Sequence, residues 1–247
     1  MRITFNFSTL ETIRMSITPV YITAEGQYDP FLYYLTSERS PKRNFPILIG
    51  DYPFYIQSIP QYIYMNTEQL SRPERLKVLT ETHYPQIVEI WDYSLENVKI
   101  LKEHNILAKH VALQSPDSYI QKLRLFREPY LNKFPYQVGF CGDISQRRSA
   151  ILEELKERGI SVHIIRGISG DSRDAELAKC AILINIHHRD NYKIFESARC
   201  EAWLCLGITV ISENSLDNDS RCINVPYNEL VKTTIDYLNT NTKIIST

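Results

Sequence analysis

The chain reads as an α/β protein built on parallel sheets, one in each half. Three observations predict this. Short β-rich runs alternate with stretches of helical period along much of its 247 residues, the pattern of βαβ units. Polar clusters follow the apolar runs, where they become the carboxyl ends of strands, the ligand-binding edge of such sheets. The halves also differ in texture: six of eight glycines lie after residue 138, and eleven of sixteen tyrosines lie before residue 120. We expect one domain over residues 1–125, a linker at 126–135 and a second domain over 136–247.

In the first half, apolar runs predict strands at 46–50, 61–66, 87–91 and 110–114. Helical spacing predicts helices at 70–82, 94–104 and 115–125. Pro73 is tolerated in a first turn and Pro116 starts the third helix. Ser94 is the N-cap of the second, with Asn97 where a full capping box has glutamate. Pro-Tyr-rich loops surround Asp29-Pro30 and Asp51-Tyr-Pro-Phe. The second half is cleaner. Strands are expected at 136–140, 162–165, 181–186 and 208–211, and helices at 145–158, 173–179, 194–206 and 227–238. Gly159 and Gly207 stop two of those helices.

Bulk numbers narrow the function. Apolar residues make up 43% of the chain, and 28 basic against 29 acidic residues leave a net charge of -1. Neither half has the basic excess of a general nucleic-acid binder, so nucleic acid is not the expected partner. No apolar run approaches the ~20 residues of a membrane span, and no signal peptide is expected. The five cysteines, Cys141, Cys180, Cys200, Cys205 and Cys222, have no two-residue spacing. They predict neither a disulfide framework nor a zinc knuckle, and a reducing cytoplasm is the expected compartment. Exposed tyrosines could serve a homodimer surface, though more often they fill a core or line a cleft.

Four groups could carry chemistry. The run Gly139-Phe-Cys-Gly-Asp-Ile-Ser-Gln-Arg-Arg is a strand, a turn at Gly142 and a helix start bearing Arg147 and Arg148. Arginines there oppose the helix macrodipole, which makes sense if an anion such as a diphosphate binds the same N–H groups. Solvation, or pairing with Asp143, Glu153 or Glu154, is the plainer alternative. The glycine spacing is not that of a dinucleotide site, and Gly167-Ile-Ser-Gly170 lacks the lysine of a phosphate loop. Kinase, P-loop ATPase and NAD dehydrogenase readings therefore fall.

Next comes Asn185-Ile-His187-His188-Arg189-Asp190, at a strand end. Asn185 and His187 share a face, while adjacent histidines point opposite ways, so no metal site is expected. Third are Glu196, Glu201 and Glu213, acids able to hold the hydroxyls of a ribose or hexose. Arg199 is expected beside them as a donor-binding residue, although Glu196 stands three residues before it and an intrahelical pair is the simpler reading. Last, Glu68 in Asn66-Thr-Glu-Gln and Asp92 in Trp91-Asp-Tyr-Ser are candidate bases for an acceptor hydroxyl. Alternatively, Asp92 or Ser94 caps the next helix and Trp91 fills the core.

In order and spacing, these pieces resemble glycosyltransferases of the GT-B fold, particularly short members found in large DNA viruses and some bacteria. The resemblance runs over about residues 60–215. It rests on Asn66-Thr-Glu-Gln, Ile90-Trp-Asp-Tyr-Ser, Gly142 with Arg147-Arg148, Leu183-Ile-Asn-Ile-His, Phe195-Glu-Ser-Ala-Arg and Ile211-Ser-Glu. It implies two Rossmann-like domains facing a cleft. A nucleotide-sugar donor, a co-substrate rather than a cofactor, would lie against the second domain and an unknown acceptor against the first. No bound metal is needed in that family; Arg147 and Arg148 would neutralise the departing diphosphate. Glu201-Ala-Trp-Leu-Cys-Leu-Gly looks like the helix whose glutamate holds the donor ribose. One extra residue separates that glutamate from its glycine, and Lys193 stands where a second glutamate is usual, leaving Glu196 for that role. The rival readings are a non-catalytic binding subunit and a DNA-base glucosyltransferase, the latter using Lys122, Arg124, Arg127 and Lys133 as a basic groove.

Overall fold

The computed structural model describes residues 2–4, 21–23, 47–50, 61–81 and 85–241. The loops at Asp29-Pro30 and Asp51 lie outside these residues. Contacts divide the chain into two units, residues 1–114 and 115–247.

Among the described residues, the first unit carries six parallel strands: β1 (Arg2–Thr4), β2 (Tyr21–Thr23), β3 (Ile47–Gly50), β4 (Tyr62–Asn66), β5 (Ile87–Asp92) and β6 (Ala108–His110). They lie side by side in chain order, β1-β2-β3-β4-β5-β6. Every residue of β4 is buried, the mark of a parallel strand covered on both faces. Helix α1 (Pro73–Glu81) begins at Pro73, which lacks the N–H that a first turn leaves unbonded anyway. Helix α2 (Leu95–Glu103) starts at the expected cap: Ser94 Oγ accepts from the N–H groups of Glu96 and Asn97 at 3.2 and 3.4 Å. The strand expected over 110–114 lies earlier and ends at His110; residues 111–114 are not strand, though the Val111 N–H still donates to Asp92 O at 2.8 Å.

The second unit opens with α3 (Asp117–Arg127), the helix expected to close the first domain. Its Tyr119 and Leu123 belong to the second unit's core. The five strands that follow are β7 (Tyr136–Cys141), β8 (Val162–Ile165), β9 (Cys180–Asn185), β10 (Val210–Glu213) and β11 (Ile223–Val225), all pairing in parallel. Their order is β11-β10-β9-β7-β8. Counted from the first strand this is 2-1-3-4-5, a doubly wound order that reverses between β7 and β9. Strand β11 lay in a stretch with no predicted element.

Helices cover both faces. Helix α4 (Gln146–Glu157) and α7 (Leu230–Thr240) lie on one, where Phe140, Leu152, Ile184, Ile211 and Leu230 form a core. Helices α3, α5 (Gly170–Leu177) and α6 (Ser197–Cys205) lie on the other, around Leu177, Leu183, Trp203 and Val210. On this face Gly139 makes room for side chains of the neighbouring strand β9: a Cβ there would meet Cys180 Sγ at 2.7 Å and Leu183 Cδ2 at 2.8 Å. Among the described residues, no helix is long and apolar enough to cross a membrane.

Candidate functional site: an arginine crevice at the strand reversal

Doubly wound sheets bind ligands beyond the carboxyl ends of the two strands that flank the reversal. Here those ends are Cys141-Gly142 and Asn185-Ile186. From β7 the chain enters α4 on one face, and from β9 it reaches α6 on the other. Each helix sends one arginine back to Gly142.

Arg148 comes from α4 and is only 3% exposed. Its Nε donates to Ile186 O at 2.8 Å and its Nη1 to Asp143 O at 2.9 Å. Burial, then the neighbouring charge of Arg199, depresses its pKa to about 10, so it remains a cation at neutral pH. Arg199 comes from α6 and donates through Nη1 to Asn185 Oδ1 at 2.9 Å. Asn185 is itself fixed by a bond from Nδ2 to Ser212 Oγ at 3.0 Å. A Cβ on Gly142 would stand 3.0 Å from Arg199 Nη2 and 3.5 Å from Arg148 Nη1, so a glycine is what admits both guanidiniums. Glu196 completes the group, with Oε1 3.6 Å from Arg148 Nη2 and Oε2 3.3 Å from Arg199 Nη2.

Sequence reasoning missed one further charge. Arg173, on α5, pairs with Asp174 at 2.8 Å beside the Tyr119 hydroxyl. Burial raises the Cys141 thiol pKa, and the charges of Arg199, Arg173 and Arg148 oppose that rise. Asp174 adds to that rise, so Arg173 reaches the end of β7 as an ion pair whose two charges oppose each other there. The signal was present: α5 follows β8, the neighbour of β7.

Other expected residues are occupied elsewhere. Arg147 is committed to Glu213. Its Nη1 donates to Oε2 at 2.5 Å and its Nη2 to Oε1, while Nε donates to Asp190 at 2.5 Å. Its guanidinium lies 3.7 Å from the ring centroid of Tyr227, whose hydroxyl donates to Arg147 O at 2.8 Å. His187 is buried above this pair. Its N–H donates to Glu213 Oε2 at 3.0 Å, and its Nε2 lies 3.3 Å from Asn214 O and 3.1 Å from Ser215 Oγ. Burial lowers the His187 pKa and keeps the ring neutral. Glu201 faces Arg221, which donates to its Oε2 at 2.5 Å, and Cys205. It is not grouped with Arg148 and Arg199.

In the first unit, Asp92 is fully buried and accepts from Asn66 Nδ2 at 2.7 Å, Ser94 N at 2.9 Å and Asn97 Nδ2 at 2.9 Å. Asn97 also accepts from Leu70 N at 2.8 Å, which is why no glutamate stands at its position. Glu68 is paired with Arg72 Nη1 at 2.6 Å. Arg127, one of the four residues of the expected basic groove, is instead buried and donates to Cys180 O at 2.6 Å and Ala181 O at 2.9 Å.

No protein-family model matches the chain, and no solved structure matches it. It is similar to uncharacterized proteins of Acanthamoeba polyphaga mimivirus. It is 34% identical over 186 residues to uncharacterized protein L140, covering 71% of this chain and 59% of that protein. To uncharacterized protein L137 it is 38% identical over 157 residues, 63% of this chain and 21% of that protein. To uncharacterized protein L138 it is 31% identical over 182 residues, 70% of this chain and 20% of that protein. The chain thus spans about three fifths of the first relative and about a fifth of the other two.

Proposed function

We propose that this protein is a nucleotide-sugar-dependent glycosyltransferase of GT-B type. The second unit, read as Rossmann-like, would hold the donor diphosphate in the β7/β9 crevice. One observation carries the reading: Arg148 and Arg199, from helices on opposite faces, meet at Gly142 where the strand order reverses. Two guanidiniums in a largely desolvated crevice favour a group that gains negative charge as a bond breaks. In the proposed step, an acceptor hydroxyl attacks the anomeric carbon of the sugar. The bond from that carbon to the diphosphate oxygen breaks, and the nucleoside diphosphate leaves against Arg148 and Arg199. The hydroxyl proton passes to a base.

The roles expected from the sequence shift within this reading. Arg199 replaces Arg147 on the diphosphate, and Arg147 with Glu213 becomes the brace beneath the crevice. Asp92, taken up by three hydrogen bonds, becomes a positioning residue, which leaves Glu68 as the acceptor-side carboxylate. Glu201, occupied by Arg221, gives up the ribose. The acceptor stays a hydroxyl of unspecified class, and the setting is the cytoplasm of an infected host.

The saturation of Asp92 also supports a second reading, a donor-binding subunit without turnover. Titration calorimetry with UDP, GDP and ADP tests the site. Micromolar binding of one nucleotide, lost in Arg199→Gln and kept in Arg147→Met, supports the assignment. Binding of none by the folded protein overturns it. Release of free sugar from the matching nucleotide-sugar, or its transfer to a hydroxyl, separates enzyme from binding subunit.

A further inference from the structure

His187 and His188 stand side by side beyond the end of β9, and the fold uses them differently. His187 is 1% exposed, and its Nε2 faces the loop after β10. His188 is only partly buried. Neither of its ring nitrogens has a hydrogen-bond partner among the described residues. The backbone that carries it is held from α4: Arg148 Nε donates to Ile186 O at 2.8 Å and Arg147 Nη1 to His187 O at 3.3 Å. Its ring lies against that of buried Tyr192, with centroids 5.9 Å apart and planes tilted by 32°. The imidazole is thus placed from behind while both nitrogens stay unused.

The charges that act on this ring belong mostly to the crevice. They are Arg148 on α4, Arg189 beside it, Asp143 in the turn after β7 and Glu196 at the start of α6. Burial, then Arg148 and Arg189, hold its pKa below the ordinary 6.5 against the pull of the two acids. The ring of the free protein is therefore mostly neutral at pH 7.

We infer that His188 is the third donor of the crevice, binding a phosphate oxygen at its outer lip and taking up a proton as it does so. The inference rests on the anion site of the proposed function but not on sugar transfer. Arg148, at 3% exposure, meets an anion from within; His188, more exposed, meets it from the solvent side. A bound phosphate brings negative charge beside the ring and reverses the balance set by the two arginines, because an opposite charge within about 4–6 Å favours the cationic form. The proton comes from water and joins the lone pair of one ring nitrogen, so that both nitrogens become donors. A third arginine would burden the free site with a permanent charge; this imidazole adds its charge only when an ionised phosphate is there to meet it.

The test titrates the full chain with inorganic pyrophosphate near pH 7. Calorimetry in two buffers of different ionisation heat counts the protons taken up. Wild type should take up a fraction of a proton more than His188→Asn; the protons of pyrophosphate itself are common to both. His188→Asn should also bind about tenfold more weakly. His188→Lys, a cation at every pH used, should bind at least as well as wild type without the extra uptake. Weaker binding without lost uptake in His188→Asn, lost uptake without weaker binding, or neither change overturns the inference. So does His188→Lys binding no better than His188→Asn, and so does no binding of pyrophosphate by wild type. The two readings fail separately. Uptake that depends on His188 with pyrophosphate, but no binding of UDP, GDP or ADP, leaves the third donor and removes the nucleotide site. Nucleotide binding that is alike in wild type and His188→Asn leaves the nucleotide site and removes the third donor.

Discussion

Arg147 at the start of α4 and Glu213 at the end of β10, 66 residues apart in the chain, close a two-pronged ion pair. Both side chains are largely out of water, so breaking the pair strands a charge. Glu213→Ala should lower unfolding stability by about 3 kcal/mol, and it also removes the acceptor of the His187 N–H. Arg147→Ala should cost a similar amount. The double variant should cost clearly less than the sum, because the second deletion has no partner left to orphan. Urea unfolding of the four proteins measures this cycle. Additive losses would show that the pair is not coupled.

Much of this site could be read from local pattern. The cap at Ser94, the stops at Gly159 and Gly207, and the strands of the second unit follow from periodicity and from the φ that only glycine takes easily. Asn185 and His187 at a strand end were visible for the same reason. What could not be read was partnership. Arg147 and Arg148 are neighbours of one type, yet one faces an acid on β10 and the other the crevice. A helix turns about 100° per residue, so the choice depends on where β10 lies, and strand order is not written in any window of sequence. Arg127 misled in the same way. Beside Lys122, Arg124 and Lys133 it reads as a surface cation, but it is the one whose Nη groups reach the carbonyls at the start of β9.

That arginine is a second test. Arg127 is buried, and burial lowers its pKa to about 10. Its guanidinium serves Cys180 O and Ala181 O and lies 4.3 Å from the Phe134 ring centroid. Arg127→Met should cost about 2–4 kcal/mol, since it leaves buried carbonyls unsatisfied. Arg127→Lys should recover less than half of that, because one ammonium cannot reproduce a planar fork stacked on an aromatic ring. Thermal or urea midpoints decide it. Full rescue by lysine would mean that charge alone matters there.

The pH dependence follows from His187. Burial, the largest cause, lowers its folded pKa below the ordinary 6.5, against the pull of Glu213 and Glu196. The unfolded chain therefore binds a proton near pH 6 that the folded chain refuses. Stability is complete above about pH 6.5 and drains as pH falls toward the folded pKa, by at most ~1.4 kcal/mol per pH unit. His188 is shifted the same way, by burial and by Arg148 and Arg189, and adds to the slope. Urea midpoints at pH 7.5 and 5.5 should fall in wild type. The fall should be smaller in His187→Asn, which cannot take up the proton. An identical fall in both proteins would assign acid sensitivity to other groups.

Gly142 links fold and site most directly. Its φ is +138°, a region that side chains rarely adopt, and the space its Cβ would need is held by Arg199 Nη2 at 3.0 Å. Gly142→Ala therefore meets backbone strain of about 1–3 kcal/mol. It also meets a contact that only the guanidinium can relieve, by moving away from Asn185. Stability should fall modestly, and anion affinity should fall at least tenfold, because one of the two cations leaves its place. Asn185→Ala should reproduce the loss of affinity without the backbone strain. Pyrophosphate titration beside urea unfolding separates the two effects. If Gly142→Ala loses stability but binds normally, Arg199 is not a ligand of the anion.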